Sequence, residues 1–196
     1  MPHDVEGTKQ RVRDAAVAEF AAHGLHGTTM ERIAARAGIN KERVYAYFGD
    51  KRALFAGLVT DLLATVADAV PLEIERLEDV GEFAARNFDY LEDHPDRARL
   101  VLWEGLTPGD EAEGGDRRQA LYEGKRKAVA AAQQAGILTD TVDSAHLVFL
   151  LLALPSWWSA APQIARILTG PVEDVDAERA RRRAAVKEAA IRIARP

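Results

Sequence analysis

The sequence predicts an all-α protein with an N-terminal helix-turn-helix three-helix domain and a larger, helical C-terminal domain. Residues 27–52 read as two short helices joined by a tight turn, with a third helix starting directly after them. After position 60, apolar residues recur at helical steps, and the 47% of hydrophobic residues in this chain of 196 is enough for a core. We expect the first domain over residues 1–52 and the second over 53–196.

Capping and stop signals predict the helix-turn-helix. Thr28 precedes Glu31 at the spacing of a capping box, which starts a helix. Gly38 ends this helix, because glycine enters the left-handed conformation without cost. Asn40 is a good N-cap for the next helix, over residues 41–48. In this kind of motif the second helix enters the major groove of DNA.

Flanking helices are predicted from apolar spacing. A first helix over residues 8–22 places Val12, Ala16 and Phe20 four apart, and a helix over 50–69 carries leucines at the same steps. Basic residues near the start of the first helix either reach phosphate or form a solvated face. Later helices are predicted up to His94, over 116–134, from 143 through Trp158, and over about 172–194. Within them we expect Lys125 to face outward and Pro155 to kink or break its helix.

The N-terminal domain over residues 1–52, or head, resembles a known family. It contains the run Thr-Thr-Met-x-x-Ile-Ala-x-x-Ala-Gly-Ile-Asn followed by Val-Tyr-x-Tyr-Phe-x-x-Lys-x-x-Leu, within roughly residues 8–58. This pattern is similar to the N-terminal DNA-binding domain of the TetR family of transcriptional regulators, which are tetracycline-repressor-like. The resemblance implies a DNA-binding transcriptional regulator, a repressor released from its operator by a small-molecule ligand. Activation stays open, because the sign depends on where the operator lies.

Candidate DNA contacts lie in and around the recognition helix. Its first turn points deepest into the groove, so Lys41, Glu42 and Arg43 are the candidates for base edges. Glu42 could instead orient Lys41 or Arg43. By the resemblance, Tyr45, Tyr47 and Lys51 contact phosphates, although Tyr45 could pack in the core. The remaining candidates for phosphate, at the start of the second helix, are Thr28 and Thr29.

The charge distribution is compatible with a DNA partner. The whole chain has a net charge of −5, but residues 1–52 hold nine basic and seven acidic side chains. A slightly basic head can bind DNA through one face, because the electrostatic potential near that face, and not the net charge of the whole chain, determines the attraction to DNA. Two heads would read half-sites of a near-palindromic operator about 34 Å apart. The resemblance implies a homodimer formed by the last two long helices.

The resemblance also implies a small-molecule pocket in the second domain. Aromatic or amphipathic side chains are the candidates for its lining, although each could be ordinary core. These ligand-binding candidates are Phe83, Phe88, Trp103, Tyr122, His146, Trp157 and Trp158. Nothing in the sequence identifies the ligand.

The sequence gives little support for an enzyme, a metal-binding protein or a membrane protein. The chain has no cysteine, no HExxH pair and no GxSxG elbow, so we expect no enzyme, no metal site and no cofactor. The longest apolar run, 147–155, is far shorter than a membrane span of about 20 residues. We therefore expect a cytoplasmic protein that does not bind a membrane. The alternative function is a helical protein-interaction module without DNA binding.

Overall fold

The computed structural model describes residues 4–107 and 115–196, and these form ten α-helices and no strand. The all-α prediction is therefore confirmed for the described residues. In chain order the helices are α1 Val5–Gly27, α2 Met30–Ala37, α3 Lys41–Phe48, α4 Lys51–Ala69, α5 Glu78–Asp93, α6 Pro95–Gly105, α7 Gly115–Gln134, α8 Ser144–Ala160, α9 Pro162–Thr169 and α10 Val175–Ala194.

The chain is divided into two compact units. The first holds Met1–Leu63 and Asp96–Arg117, and the second holds Ala64–Pro95 and Arg118–Pro196. Helix α6 thus belongs to the same unit as α1, α2 and α3. The functional division at residues 52 and 53 stays a prediction.

Helix α1 packs its apolar face into the first unit. Val12, Ala16 and Phe20 are fully buried, as their spacing predicts, and the ring of Phe20 meets that of Phe55 edge-on at 5.0 Å between centroids. Gly24 interrupts the helix with φ 65° and ψ −177°. The chain then makes one more helical turn, so α1 ends at Gly27 and not at residue 22 as predicted.

The helix-turn-helix bounds follow the local signals, with one exception. Gly38 is left-handed with φ 68°, and the Asn40 side chain accepts a hydrogen bond from the amide of Arg43 at 3.0 Å. The exception is the start of α2, where Thr29 caps the helix by accepting from the amide of Arg32. The prediction of Thr28 as this cap was wrong by one residue, because the Thr28 hydroxyl is buried against α1.

The second unit is built around α5, which packs against both α8 and α10. Phe83 and Phe88 of α5 lie in its core with Leu147 and Leu151 of α8. Gly81 lets α10 approach closely, since a Cβ there would lie 2.8 Å from a side-chain carbon of Ile191.

The C-terminal part contains one helix that was not predicted. Helix α8 runs through Pro155 to Ala160, so the proline does not break it. Helix α9, which was not predicted, follows at an angle of 81°. In the described part of the chain no single helix has the length and apolarity to cross a membrane, and only the bent pair α8 and α9 reaches that composition together.

Candidate nucleic-acid interface

Helix α3 anchors itself with one side chain and presents its first turn outward. Val44 is fully buried, whereas Glu42 is exposed and Lys41 and Arg43 are half-buried. The three residues predicted to face bases therefore lie together on the first turn, next to the Asn40 cap. A helix N-terminus with two partly exposed cations suits a polyanion.

Lys41 is tied to the preceding helix by an ion pair. Its Nζ donates a hydrogen bond to the carboxylate of Glu31, and it also lies 5.7 Å from the centre of the Tyr45 ring. The hydrogen bond from Lys41 lowers the pKa of Glu31 and raises that of Lys41. Glu31 therefore neutralises part of the positive charge that Lys41 could offer to a base or a phosphate.

Removing this carboxylate should strengthen DNA binding. We expect Glu31→Gln to bind operator and random DNA severalfold more tightly, because it frees Lys41 and removes a negative charge beside the groove. Fluorescence anisotropy at several salt concentrations measures this. Glu6→Gln, which breaks an exposed pair with Lys9, serves as the matched control. Equal or weaker binding by Glu31→Gln would contradict the expectation.

The two tyrosines of α3 occupy different environments. Tyr45 is 43% exposed, which leaves it accessible to a phosphate. Tyr47 is half-buried, with Nζ of Lys9 5.9 Å from its ring centre and the Phe48 ring edge-on at 6.4 Å. The basic residues at the start of α1 thus lie beside the aromatic residues of α3.

Thr28, Thr29 and Lys51 form hydrogen bonds at the connection between α1 and α2. Thr28 is fully buried, and its hydroxyl donates to the carbonyl of Glu19 at 3.0 Å. Its own carbonyl accepts a hydrogen bond from Nζ of Lys51 at 2.8 Å. Thr29 is exposed. Of these three predicted phosphate contacts, only Thr29 has a side chain that is both exposed and close to a helix N-terminus.

A cleft of about 440 Å³ separates the start of α1 from the turn before α3. Arg11 of α1 and Arg43 of α3 both line it, together with Asn40 and the Gly38 turn. Arg11 donates to the hydroxyl of Thr8 at 3.2 Å. The cleft brings a cation of α1 close to the recognition helix.

A buried carboxylate, which was not predicted, fixes α2 against α1. Glu19 is 4% exposed and accepts from Nε of Arg32 at 2.7 Å and from Nε of Arg36 at 2.8 Å. Burial alone would raise the pKa of Glu19, but the hydrogen bonds from Arg36 and Arg32 outweigh it and lower the pKa. Its position four residues after buried Ala15 is the sequence signal that could have found it.

The predicted ligand-binding residues do not form one cluster. Phe83 and Phe88 are fully buried in the core of the second unit, while His146 and Trp157 are exposed on α8. Trp158 is half-buried, with the Arg182 guanidinium 5.0 Å from its ring centre.

The other two candidates lie elsewhere. Trp103 belongs to the first unit, where its indole N–H donates to the carbonyl of Ala21 at 3.1 Å. Tyr122 lines a groove of about 690 Å³ between α7 and α8, with Val148 and Leu152 among its apolar walls. Within the described residues, no group of three or more metal-ligating side chains comes together.

Half-buried Lys125 is a cation of α7 that turns inward. Its charge predicts a position on the outer face of the helix, but its Nζ lies 5.4 Å from the centre of the buried Phe83 ring. Burial lowers the pKa of Lys125. The contact with the ring face compensates part of the cost of removing this ammonium from water.

Comparisons with known families cover most of the chain. Residues 12–58 match the family described as bacterial regulatory proteins, tetR family, and residues 79–192 match the tetracyclin repressor-like C-terminal domain.

Individual relatives agree with these matches. The HTH-type transcriptional repressor SCO4008 of Streptomyces coelicolor is 41% identical over 172 residues, 85% of this chain and 86% of that protein. The HTH-type transcriptional regulator RutR of Escherichia coli is 27% identical over 87% of this chain and 82% of its own length. The crystal structure of SCO4942 from Streptomyces coelicolor shares 33% identity with a TM-score of 0.80, covering 96% of this chain and 99% of that one.

Proposed function

Because the chain belongs to the tetR family and is a DNA-binding transcriptional regulator, we propose that it is a repressor that a small-molecule ligand releases from its operator. The observation that carries the DNA part is the outward first turn of α3, where Lys41, Glu42 and Arg43 stand on a helix N-terminus. The relative SCO4008 is itself named a repressor, which favours repression over activation.

The proposed contacts divide into bases and phosphates. Arg43 and Lys41 suit the O6 and N7 atoms of guanine, and Glu42 can accept from cytosine N4. Thr29 and Tyr45 are exposed and suited to phosphate oxygens. We leave Thr28 out of this set because its hydroxyl is buried and bonded, and Tyr47 and Lys51 would have to give up part of their present contacts.

Selection of binding sites from a random DNA library, read at two salt concentrations, tests the proposed function. We expect a palindrome whose half-sites lie about 34 Å apart, and affinity that falls steeply with salt. Weak, salt-independent binding without enrichment would overturn the proposal and favour a protein-interaction module.

Substitutions separate the two kinds of contact. We expect Arg43→Ala to relax the preference at one base position, at a cost of about 1–3 kcal/mol for the preferred base. Tyr45→Phe removes only a hydroxyl and should weaken all sequences alike. Repeating the site selection with each variant measures both effects. Identical losses on specific and random DNA for both variants would contradict the assignment of roles.

The assembly is proposed to be a homodimer. Regulators of this family bind DNA operators and small-molecule effectors as dimers. The last two long helices, α8 and α10, expose Phe149 and Leu150 on one and the small residues Ala180 and Ala184 on the other. Small residues permit close approach of a partner helix, and exposed large apolar residues favour its burial.

The effector is proposed to bind within the second unit. Phe83 and the inward Lys125 make one part of it both aromatic and cationic, and Tyr122 borders a groove on its surface. By linkage, effector and DNA must weaken each other's binding by the same factor. Operator release by fractionated small molecules from the native cells, followed by anisotropy, tests this. If no fraction releases DNA, the ligand step fails while the DNA-binding proposal stands.

A further inference from the structure

Lys125 differs from its neighbours on α7, because no described carboxylate lies beside it. Arg126 donates two hydrogen bonds to the carboxylate of Glu123, at 2.8 and 2.7 Å. Lys127 lies 3.9 Å from the same carboxylate. Lys125 forms no ion pair with a described residue, and burial is the cause that lowers its pKa. Its ammonium is therefore a half-buried positive charge without a described counterion.

Lys125 lies on the stripe of α7 that faces the core of the second unit. Val129 and Ala132 follow it at four and seven positions, and both are buried in that core. Arg118, seven positions before it, is 8% exposed. The N-terminal half of this stripe thus carries cations where a helix that only packs against a core carries apolar residues.

The core of the second unit, as far as it is described, supplies no negative charge for Lys125. The buried side chains of α5 and α8 are all uncharged. The buried carboxylate among the described residues of this unit belongs to Glu178, which already pairs with Arg181 at 2.9 Å and with Arg182 at 2.8 Å. An anion bound to Lys125 therefore has to come from outside the described residues.

A lysine at this position is unfavourable for stability. Partial removal of its ammonium from water disfavours the charged form, and the contact with the Phe83 ring, 5.4 Å away, offsets only part of that cost. A methionine of similar length would pack on the same ring without a charge to dehydrate. Natural proteins break such packing rules mainly at functional sites, which points to a role in binding.

We propose that Lys125 binds the acidic group of the effector, and that the effector is an organic acid with an apolar body. The ammonium has three donors, and its hydrogen bonds to a carboxylate are about twice as strong as those between neutral groups. The apolar surroundings of the Phe83 ring strengthen this attraction and favour a ligand with an apolar body over a small hydrated ion. This inference rests on the proposed effector site in the second unit and adds the charge of the ligand.

Ligands that share a skeleton and differ in charge test the proposal. Benzoate, benzamide and benzylamine form one set, and hexanoate, hexanamide and hexylamine form another. We expect the acid of at least one set to bind in titration calorimetry, and its amide and amine to bind at least tenfold more weakly. Lys125→Met should weaken binding of the acid at least tenfold. Lys127→Met, whose lysine side chain is 72% exposed on the same helix, is the matched control and should bind the acid like the wild type.

Three results would overturn this inference: equal binding of acid and amide, undiminished binding of the acid to Lys125→Met, or no binding of either acid. Anisotropy of labelled operator with the same compounds separates it from the proposed function. An acid that binds at Lys125 and leaves the operator affinity unchanged would contradict the proposed release alone. Release by the amides or amines that Lys125→Met does not impair would contradict this inference and leave the proposed release standing.

Thermal unfolding without ligand tests whether Lys125 serves only the packing of α7. We expect the melting temperature of Lys125→Met to equal or exceed that of the wild type, because methionine fills the space without a buried charge. A lower melting temperature would assign Lys125 to the packing of the core and overturn the inference.

Discussion

Replacing Glu19 by alanine should lower the free energy of unfolding by about 2–3 kcal/mol. Its carboxylate is almost completely buried and accepts hydrogen bonds from two arginines of α2, so the substitution leaves both without their partner. Breaking a buried ion pair costs about 3–5 kcal/mol, and the half-exposed arginines reduce this because water can solvate them. The loss falls on the packing of α1 against α2, which positions the recognition helix.

Urea unfolding followed by circular dichroism measures this difference. Glu6→Ala is the matched control, because Glu6 lies on the same helix and forms an exposed pair with Lys9. It should change the stability by less than about 0.5 kcal/mol. If Glu19→Ala costs no more than Glu6→Ala, the network does not stabilise the head.

The same network predicts a pH dependence. The pKa of Glu19 in the folded state lies below its ordinary value of 4.5, so its ionised form is favoured by folding. Its contribution is then fully present above about pH 4.5 and is lost as the pH falls through the lower folded-state pKa. The stability difference between wild type and Glu19→Gln should therefore be constant from neutral pH down to about 5 and shrink in more acidic solution.

The sequence predicted the helix-turn-helix closely because its signals are local. Gly38 and Asn40 act within one turn of their own position, so the end of α2 and both bounds of α3 follow from neighbouring residues alone. The start of α2 slipped by one residue because Thr28 and Thr29 are chemically equal as caps. Burial decides between them, since the Thr28 hydroxyl meets a carbonyl of α1 nine residues earlier.

Features that depend on contacts between residues far apart in the chain were not predicted from the sequence. Trp103 was a candidate for the ligand pocket, yet its indole bonds to Ala21, which lies 82 positions away. Lys125 was placed on an outer face because charge predicts exposure, but the Phe83 ring offers a favourable contact inside. Helix α9 was missed because it has only eight residues and lies between Pro162 and Gly170, and both residue types usually mark turns.

The indole of Trp103 packs against Gly24, at the break in α1. We expect Gly24→Ala to be among the most destabilising single substitutions in the head. Gly24 has φ 65° with ψ −177°, a conformation that costs residues other than glycine about 1–3 kcal/mol. A Cβ there would also lie 2.7 Å from a carbon of the Trp103 ring, and such overpacking costs about 1–3 kcal/mol more. We expect a total loss of about 3–5 kcal/mol.

A double-mutant cycle separates these two causes. In a Trp103→Ala background the ring is gone, so Gly24→Ala should cost only the backbone part, and the coupling between the two sites should be about 1–3 kcal/mol. Gly57→Ala is the matched control, because Gly57 lies within α4 with no atom near its missing Cβ, and this change should stabilise by up to about 1 kcal/mol. Equal costs of Gly24→Ala with and without the indole would show that the ring does not pack on this glycine.

Trp103→Phe isolates the hydrogen bond from the indole to the Ala21 carbonyl, because it keeps an aromatic ring but removes the donor. We expect it to lower the free energy of unfolding by about 1 kcal/mol.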